Sequence, residues 1–471
     1  MNLLFASMPT YDVTLDFEQS YWYRARRLSA DLVFERVSGA LPPAGKKSLC
    51  RGMWVIASAA KRAGHSIRWV DLSADSPMIA REDSAWADQL WLYAMTPTLD
   101  ECLRLARGAK HANPSLTTIL GGPHTRCLFE ETLKRNPEID FAEAATSSVE
   151  LIVEQIRAPS RIPGFAFMVD GRVVVNEARC GKIYSEQIDP GVLPSPLRDY
   201  FVNTSSSLGC AVSCDFCVDG RTPVRLRDLA DVKNELLLLD QMLEKDDMVH
   251  FFDSSFSQMP HRCVELAKFI SEETAISGVS VDLDARTIHQ EALDALCHAR
   301  LRSAAIGFES CNNTVLKAIG KDGTFEDRVA IAQRIKKAMP TTVLKAYWLL
   351  GLPGSNPQSL ENELTGIRYV LEERIVDLVS VKLFVPYPGT VFFKEPRQYD
   401  LKVVQDYRRF DRFSLPPACC PISIGHKKLW NTLIRCEQLI AELYASRLGK
   451  TVEEIVESKK LPRRYNGAIY R

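Results

Sequence analysis

Three cysteines lie within eight residues of the chain, and this stretch restricts the fold more than any other. Residues 210–217 read Cys-Ala-Val-Ser-Cys-Asp-Phe-Cys, so Cys210, Cys214 and Cys217 are separated first by three residues and then by two. On a tight loop three such thiolates can face one point, and sulfur ligands favour iron–sulfur clusters or zinc. A structural zinc site needs a fourth ligand, and no other CxxC or HxxxH pair occurs. We therefore favour a [4Fe–4S] cluster that leaves one iron without a protein ligand.

With an aromatic residue before its third cysteine, this motif resembles the radical S-adenosylmethionine (SAM) superfamily. The resemblance implies that the methionine amine and carboxylate of SAM bind the open iron. An electron from the cluster then cleaves the sulfonium, and the resulting 5′-deoxyadenosyl radical abstracts a hydrogen from the substrate. An electron donor such as flavodoxin or ferredoxin is an expected partner.

Length and charge indicate an intracellular enzyme. The chain has 471 residues, of which 46% are hydrophobic, which suits two or three domains with buried cores. Lys plus Arg equals Asp plus Glu at 59 each, so no overall field favours nucleic acid or an anionic membrane. Thirteen cysteines without a paired framework favour reduced thiols, and no stretch is long and apolar enough to span a bilayer. We predict a cytoplasmic enzyme that acts on a small molecule.

The first domain, residues 1–189, is predicted to be an α/β domain with a Rossmann-like, doubly wound parallel sheet. Strands and helices alternate along it, with an insertion at residues 11–47 and a hairpin that turns at Asp170-Gly171. The fragments Arg-Ala-Gly-His at 62–65 and Gly-Gly-Pro-His at 121–124 resemble the cobalamin-binding-type domain that precedes many radical SAM enzymes.

Three features of this domain favour a degenerate domain that does not bind cobalamin, although cobalamin binding stays an alternative. No Asp-x-His motif occurs to ligate cobalt from below. Where the family carries a Gly-Glu-Gly-Glu-like run, residues 144–150 read Ala-Ala-Thr-Ser-Ser-Val-Glu. The first helix carries Arg51, Met53 and Trp54, where small residues would leave room for a corrin.

The second domain, residues 190–395, is predicted to be a partial (β/α)6 TIM-like barrel, which is also the fold that the resemblance implies. Its strands are expected at residues 204–208, 248–254, 279–285, 303–309, 343–350 and 378–385, with helices between them. In such barrels the chemistry gathers at the C-terminal ends of the strands. A small C-terminal domain, residues 396–471, with a helix at 428–448, is expected to cap the barrel mouth.

The strand ends supply the other cofactor candidates, and the resemblance gives them their roles. Together with the loop they are Phe216, Ser254, Arg286, Glu309, Ser310, Gly351, Leu352 and Pro353. Phe216 is expected near the adenine and Glu309 at the ribose or amino end of SAM. Arg286 suits the methionine carboxylate, with a surface salt bridge as the alternative. The Gly-Leu-Pro-Gly run at 351–354 lets the backbone approach the cofactor, with a simple turn as the alternative.

Three carboxylates, Asp253, Asp282 and Asp284, are the candidates for catalytic groups that face the substrate, although each also suits a helix cap or a solvated surface. A radical beside a hydroxyl makes that hydroxyl more acidic, so one base and one acid can expel a neighbouring hydroxyl as water. Carboxylates also attract the ammonium groups of an aminosugar, and the chain resembles the radical diol-dehydratases of aminoglycoside antibiotic biosynthesis.

We therefore favour dehydration of an aminosugar or another natural product without methyl transfer, followed by a reductase that acts on the product. Two alternatives stay open, a cobalamin-dependent C-methyltransferase and a non-catalytic iron–sulfur sensor. A second cluster at Cys419 and Cys420 is disfavoured, because neighbouring thiols cannot both reach one cluster comfortably. The eight histidines never occur in pairs at ligand spacing and are interpreted as structural.

Overall fold

The computed structural model describes residues 1–7, 21–33, 47–72, 78–179, 188–244 and 247–458, and these form two compact units. The first unit gathers the described residues within 1–13, 44–207 and 225–244, and the second gathers those within 14–43, 208–224 and 245–471. Most of the predicted insertion at 11–47 lies outside the described residues. In the part of the chain that the structure describes, no helix is both long and apolar enough to cross a bilayer.

A seven-stranded sheet forms the centre of the first unit. Its strands are β1 (Asn2–Ser7), β2 (Ser66–Asp71), β3 (Gln89–Tyr93), β4 (Thr117–Gly121), β5 (Phe141–Glu143), β6 (Phe165–Val169) and β7 (Arg172–Val175), in the order β2-β1-β3-β4-β5-β6-β7. The first five are parallel, and β6 and β7 add an antiparallel hairpin. Leu3, Leu4 and Phe5 are fully buried, as expected when both faces of a parallel sheet are covered. The predicted doubly wound sheet is confirmed.

The helices of the first unit follow the predicted alternation. They span Arg51–Arg62, Arg81–Trp86, Leu99–Ala112, Pro123–Arg135, Val149–Glu154 and Leu229–Asp240. At the hairpin turn both Asp170 and Gly171 have positive φ, 48° and 76°, as a type I′ turn requires. The sequence therefore placed this turn correctly.

The second sheet has six strands, and five of them, all parallel, belong to the second unit. They are β8 (Val249–Phe251), β9 (Val279–Leu283), β10 (Leu301–Glu309), β11 (Val343–Leu350) and β12 (Leu378–Leu383), and each pairs with the next. They correspond to five of the six predicted barrel strands. The first predicted strand, residues 204–208, is instead two short strands, Asn203–Thr204 and Ser207–Leu208. The Ser205 and Ser206 carbonyls between them accept hydrogen bonds from Arg227, which interrupts a regular strand.

Helices cover one face of this second sheet. The helices of the unit span Tyr21–Val33, Pro260–Glu273, Gln290–His298, Asn313–Ala318, Phe325–Ala338, Pro357–Glu372, Val391–Lys394, His426–Arg447 and Val452–Ser458. In β11 Trp348 is buried against Phe325 of a covering helix, whereas Lys345 and Tyr347 are only partly buried. Successive side chains of a strand point to opposite faces, so these two share the other face. We call it the inner face; it also carries Asp282 and Lys382.

The C-terminal helix and an early helix share one small core in the second unit. The predicted helix at 428–448 is observed as His426–Arg447, and its Ala441 and Ala445 pack against Ala25 of the Tyr21–Val33 helix. Arg26 of that early helix forms a buried ion pair with Glu437. A segment close to the start of the chain is thus part of the unit that contains the C-terminal region.

Candidate active site

The cluster loop, residues 208–224, is held in shape by backbone contacts that only glycine allows. Gly209 has a φ of +79°, and a Cβ there would lie 2.4 Å from the Pro223 carbonyl oxygen. A Cβ on Gly220 would lie 2.6 Å from the Cys214 carbonyl oxygen. The Cys210 amide donates to the Thr222 carbonyl at 3.1 Å and closes the loop. The two glycines therefore fix the backbone that presents the cysteines.

Three thiols on one closed loop fit a [4Fe–4S] cluster. Burial raises the pKa of the Cys210 thiol, so this thiol keeps its proton until a metal replaces it. Within the described ranges, no three His, Cys, Asp or Glu side chains are grouped to hold a single metal ion. A [4Fe–4S] cluster bonds each thiolate to a different iron and does not require such a group. Cys210, Cys214 and Cys217 are the residues that would hold it.

A chain of buried charges reaches the cluster loop from the ends of β9 and β10. Arg286 donates to Asp284 through Nε at 2.8 Å and through Nη2 at 2.9 Å, and the same Nη2 lies 3.0 Å from the Cys214 Sγ. Lys321 Nζ lies 3.6 Å from Asp284 and donates to Glu309 at 2.9 Å. Burial alone would raise the pKa of Asp284, but Arg286 and Lys321 outweigh it and hold that pKa well below its usual range. Asp284 is therefore an ionised anchor for both cations.

Arg286 thus contacts a carboxylate of the protein, and its contact with the methionine carboxylate stays a prediction. Its ion pair with Asp284 is buried, with 16% and 11% of the two side chains exposed, so it is not the surface salt bridge of the alternative interpretation. The guanidinium also approaches the Ser213 carbonyl at 3.4 Å. In this arrangement Arg286 orients the cluster loop.

Glu309 lies at the end of β10 in a left-handed backbone conformation, with a φ of +62°. Gly307 makes room for its side chain, because a Cβ there would lie 2.2 Å from Glu309 Oε1 and 2.5 Å from Lys321 Nζ. Such a conformation costs about 1–3 kcal/mol and persists only where surrounding contacts hold it. Lys321 is a site residue that sequence reasoning missed, because it follows a helix rather than a strand and carries no motif.

The remaining cofactor candidates differ in their surroundings. Ser310 donates to Glu363, which also accepts from Trp348 Nε1 at 2.7 Å. Phe216 packs against a buried cluster that includes Leu352. Ser254 is partly exposed after β8, and Pro353 is buried beside Leu352.

The Gly-Leu-Pro-Gly turn after β11 is explained by protein neighbours. Gly351 and Gly354 have φ values of +78° and +83°, and added Cβ atoms would lie 2.8 Å from Leu429 and 2.9 Å from Ala318. A left-handed φ and a close side-chain neighbour both require glycine at these positions. The simple-turn alternative therefore accounts for the two glycines without a cofactor contact.

The three candidate carboxylates have different surroundings. Asp284 is committed to Arg286 and Lys321, and Asp253 is buried beyond β8 with 2% exposed. Asp282 lies on the inner face, where it accepts from the Tyr347 hydroxyl at 3.2 Å and lies 3.9 Å from His250 Nε2. Of the three, Asp282 has the position best suited to a catalytic acid or base.

In the first unit, the C-terminal edge of the sheet is lined by small residues. Gly122 has a φ of +112°, and a Cβ there would lie 2.5 Å from the Ala94 carbonyl oxygen. After β5 the amides of Ala144 and Ala145 both donate to the Gly164 carbonyl, at 2.8 and 2.9 Å. The hydroxyls of Ser147 and Ser148 that follow are buried without a hydrogen-bond partner. Buried polar atoms of this kind call for a hydrogen-bond partner, and here they fit a polar ligand at the sheet edge.

The large side chains of the first helix are accommodated inside the first unit. Arg51 donates to Glu235 at 2.6 Å and to the Asn203 carbonyl at 3.1 Å. Trp54 is fully buried, and its Nε1 donates to the Asp189 carbonyl at 3.0 Å. Their bulk is thus taken up by protein contacts, and the prediction that they disfavour a corrin loses its physical basis.

Comparison with known families identifies both parts of the chain. Residues 204–365 match the Radical SAM superfamily, and residues 44–152 match the B12 binding domain. The chain therefore carries a B12 binding domain ahead of a radical SAM domain. The second match weighs against the prediction that cobalamin is not favoured.

Curated relatives are distant. The chain is 24% identical over 327 residues to the anaerobic magnesium-protoporphyrin IX monomethyl ester cyclase of Rubrivivax gelatinosus, covering 64% of this chain and 57% of the cyclase. It is 22% identical over 341 residues to an uncharacterized methyltransferase of Pyrococcus horikoshii, covering 69% of this chain and 72% of that protein. The chain thus spans little more than half the length of the cyclase.

Solved structures show the same fold. The radical SAM methyltransferase TsrM from Kitasatospora setae, with cobalamin and a [4Fe–4S] cluster bound, aligns with a TM-score of 0.62 at 13% identity, covering 88% of this chain and 81% of TsrM. The cobalamin-dependent SAM radical enzyme OxsB aligns with a TM-score of 0.56 at 13% identity, covering 78% of this chain and 52% of OxsB. These likenesses establish the architecture.

Proposed function

We propose that this radical SAM enzyme binds cobalamin in its first unit and transfers a methyl group to a small-molecule substrate. The observation that carries the proposal is the edge of the first sheet, where small residues end in the buried, unpartnered hydroxyls of Ser147 and Ser148. The B12 binding domain match covers this edge. TsrM, which shares the fold, is described as a methyltransferase with cobalamin bound, and this supports the choice.

The residues that would hold each group lie in different units. Ser147, Ser148 and the Gly121-Gly122 turn would meet cobalamin at the sheet edge, and Cys210, Cys214 and Cys217 would hold the cluster. When bound, the cluster and SAM supply a 5′-deoxyadenosyl radical for hydrogen abstraction, and cobalamin supplies a methyl donor.

The charged residues of the second unit position the cluster loop. Arg286 holds the Cys214 sulfur at 3.0 Å, and Asp284 fixes the guanidinium through two hydrogen bonds. A cation beside a cluster ligand stabilises the negative charge that the thiolate bears, and hydrogen bonds to ligand sulfurs tune the cluster potential. Glu309, which accepts from Lys321 at 2.9 Å, is the carboxylate that the family resemblance assigns to the ribose or amino end of SAM.

Dehydration remains a second candidate because of one specific contact. The Tyr347 hydroxyl donates to Asp282 at 3.2 Å on the inner face, which provides a hydrogen-bonded base and a weak acid close together. Removal of a hydroxyl as water needs such a pair. Methyl transfer to a carbon radical does not need proton transfer from the protein.

Product analysis separates the two candidates. Protein purified without oxygen is incubated with hydroxocobalamin, desalted, and then supplied with SAM and a reductant. Methyl transfer predicts retained corrin absorbance and release of S-adenosylhomocysteine beside 5′-deoxyadenosine. Dehydration predicts 5′-deoxyadenosine and methionine alone.

A variant in the first unit tests the cobalamin site itself. Ser147→Val with Ser148→Val should lower corrin retention, whereas Ser115→Val, on an exposed turn, should leave it unchanged. Wild-type protein that retains no corrin after desalting would reject the proposal. Equal corrin retention by the double variant would reject the assigned edge.

A further inference from the structure

A glutamine side chain holds the backbone on both sides of the first cysteine of the cluster loop. Gln258 Oε1 accepts from the Ala211 amide at 2.9 Å, and Gln258 Nε2 donates to the Gly209 carbonyl at 3.4 Å. Between these two groups, the Cys210 amide donates to the Thr222 carbonyl at 3.1 Å. Three consecutive residues therefore each have a backbone group held by a partner, and the peptides on either side of Cys210 are fixed.

Gln258 is itself buried and belongs to a well-anchored turn. Its side chain is 8% exposed, and the residue ends the short helical turn that follows β8. In that turn the Phe256 ring packs on Phe251 of β8, with ring centres 4.7 Å apart. The Ser257 hydroxyl lies 3.0 Å from that of Thr287, beyond β9. The glutamine thus reaches the cluster loop from a turn that two neighbouring strand ends hold in place.

The same anchor supports the arginine that contacts the second cysteine. The Ser255 hydroxyl, just before the turn of Gln258, accepts from the Asp284 amide at 3.1 Å. Asp284 holds Arg286, whose Nη2 lies 3.0 Å from the Cys214 sulfur. Two side chains from adjacent strand ends therefore hold the loop at its first two cysteines. The arginine contacts a ligand sulfur directly, whereas the glutamine contacts the backbone.

The backbone that Gln258 holds also carries a donor for the Cys210 sulfur. Burial raises the pKa of the Cys210 thiol, and a hydrogen bond from the Val212 amide opposes this rise. Val212 directly follows Ala211, so the direction of its N–H depends on the residue whose amide Gln258 holds. Hydrogen bonds to ligand sulfurs tune the potential of an iron–sulfur cluster, because they stabilise the negative charge that reduction adds.

We propose that Gln258 is a positioning residue that sets the potential of the cluster through the backbone around Cys210. The inference rests on the [4Fe–4S] cluster assigned above to this loop and adds a residue that controls it. It holds for methyl transfer and for dehydration alike, since both begin with reduction of the cluster. An amide side chain suits the role because it accepts from one backbone N–H and donates to one backbone carbonyl at the same time. An ionised carboxylate makes only the first of these contacts, and an apolar side chain makes neither.

A redox titration tests the proposal without turnover. Gln258→Met keeps the length of the side chain and removes both hydrogen bonds. The midpoint potential, followed by electron paramagnetic resonance of anaerobically purified protein, should become more negative, because the Val212 donor is no longer held at the Cys210 sulfur. Iron content should stay that of wild type, since Gln258 is not a cluster ligand. An unchanged potential at unchanged iron content would overturn the proposal.

Two control variants separate control of the potential from a general loss of packing. Ser257→Ala removes a buried hydroxyl of the same turn, and with it the contact with Thr287. This change should lower thermal stability and leave the potential unchanged. Gln358→Met, at an exposed position, should alter neither quantity. Equal shifts of potential in Gln258→Met and Ser257→Ala would reject a specific role for Gln258.

A second substitution covers the case in which Gln258→Met loses its iron or does not fold. Gln258→Asn keeps a buried amide that is one methylene too short to hold both backbone groups, and its potential should also be more negative than that of wild type. A wild-type potential in this variant would reject the proposal.

Failure of the cluster assignment gives a different result. Wild-type protein that is colourless would remove the cluster and, with it, the role of Gln258. Brown wild-type protein whose potential is the same as that of the Gln258 variants would keep the cluster and remove only the role of the glutamine.

Discussion

Each unit contains a buried ionic cluster of basic side chains and carboxylates. The two clusters differ in the groups that their charges contact. In the first unit Glu235 accepts from Arg51 at 2.6 Å and from Arg227 at 2.8 Å, and its other oxygen accepts from the Thr204 hydroxyl at 2.6 Å. In the second unit Lys321 joins Asp284 to Glu309, and Arg286 extends the chain of charges to the Cys214 sulfur.

This difference indicates the condition under which a buried charge marks a functional site. Both oxygens of Glu235 are occupied by protein donors, so this carboxylate has no acceptor left for a ligand and serves the fold. The second cluster ends on a thiol with the spacing of a metal ligand, so its last contact points to a cofactor. A buried ion pair is therefore weak support for function unless its charges lead to a reactive group.

The largest effect is expected at the end of the second cluster. Cys214→Ala, like the matching change at Cys210 or Cys217, should abolish the brown colour and remove the roughly four irons of a [4Fe–4S] cluster, because each thiolate bonds a separate iron. Iron analysis and the visible spectrum of anaerobically purified protein measure this. Cys419→Ala, at a buried cysteine of the C-terminal strand pair Cys419–Pro421, is the control and should keep its iron. Colourless wild-type protein with bound zinc would contradict the radical SAM assignment of the loop.

The next effect concerns stability in the first unit. Glu235→Gln leaves Arg51 and Arg227 buried without a counter-charge and should lower the free energy of unfolding by about 3–5 kcal/mol. Denaturant titration measures the loss, and Glu154→Gln, an exposed residue, should cost little. A stable Glu235→Gln protein would mean that the first cluster is not the structural one, and the comparison would fail.

A smaller and different effect is expected at Glu309. Glu309→Gln should keep the cluster and weaken SAM binding by about 1–3 kcal/mol, as when one partner of a buried charged hydrogen bond is lost. Calorimetric titration with SAM measures it. Glu372→Gln, which breaks only an exposed ion pair with Arg368, serves as the control. Unchanged SAM affinity would show that Glu309 acts on Lys321 alone.

The smallest expected effect is a change of folding stability with pH. Burial alone would raise the pKa of Glu235, but Arg51 and Arg227 lower it from 4.5 to about 2. The folded pKa lies below the unfolded one, so the stabilisation is complete above about pH 4.5 and is lost as the pH falls towards about 2. Thermal unfolding between about pH 6 and about pH 3 should therefore show a fall in midpoint that is shallower in Glu235→Gln. Parallel curves for the two proteins would remove Glu235 from the account of acid stability.

The sequence alone determined the features that depend on local pattern. The spacing of Cys210, Cys214 and Cys217 identifies the cluster loop, because three thiols within eight residues can meet one cofactor whatever surrounds them. The alternation of apolar strands and amphipathic helices predicts both parallel sheets, because each element must bury one stripe or both faces. The Asp170-Gly171 turn follows from the conformational preference of two residues.

Only the tertiary structure decided which distant side chains meet. Lys321 contacts Asp284 and Glu309 across a turn that no motif marks, and Lys345 and Lys382 share Tyr347 because the register of two strands aligns them. Arg26 pairs with Glu437 over 411 residues of sequence. Such contacts depend on packing and register rather than on neighbouring residues, so a local pattern carries no record of them. For this reason the sequence led to the cofactor, and only the fold showed which charged side chains meet.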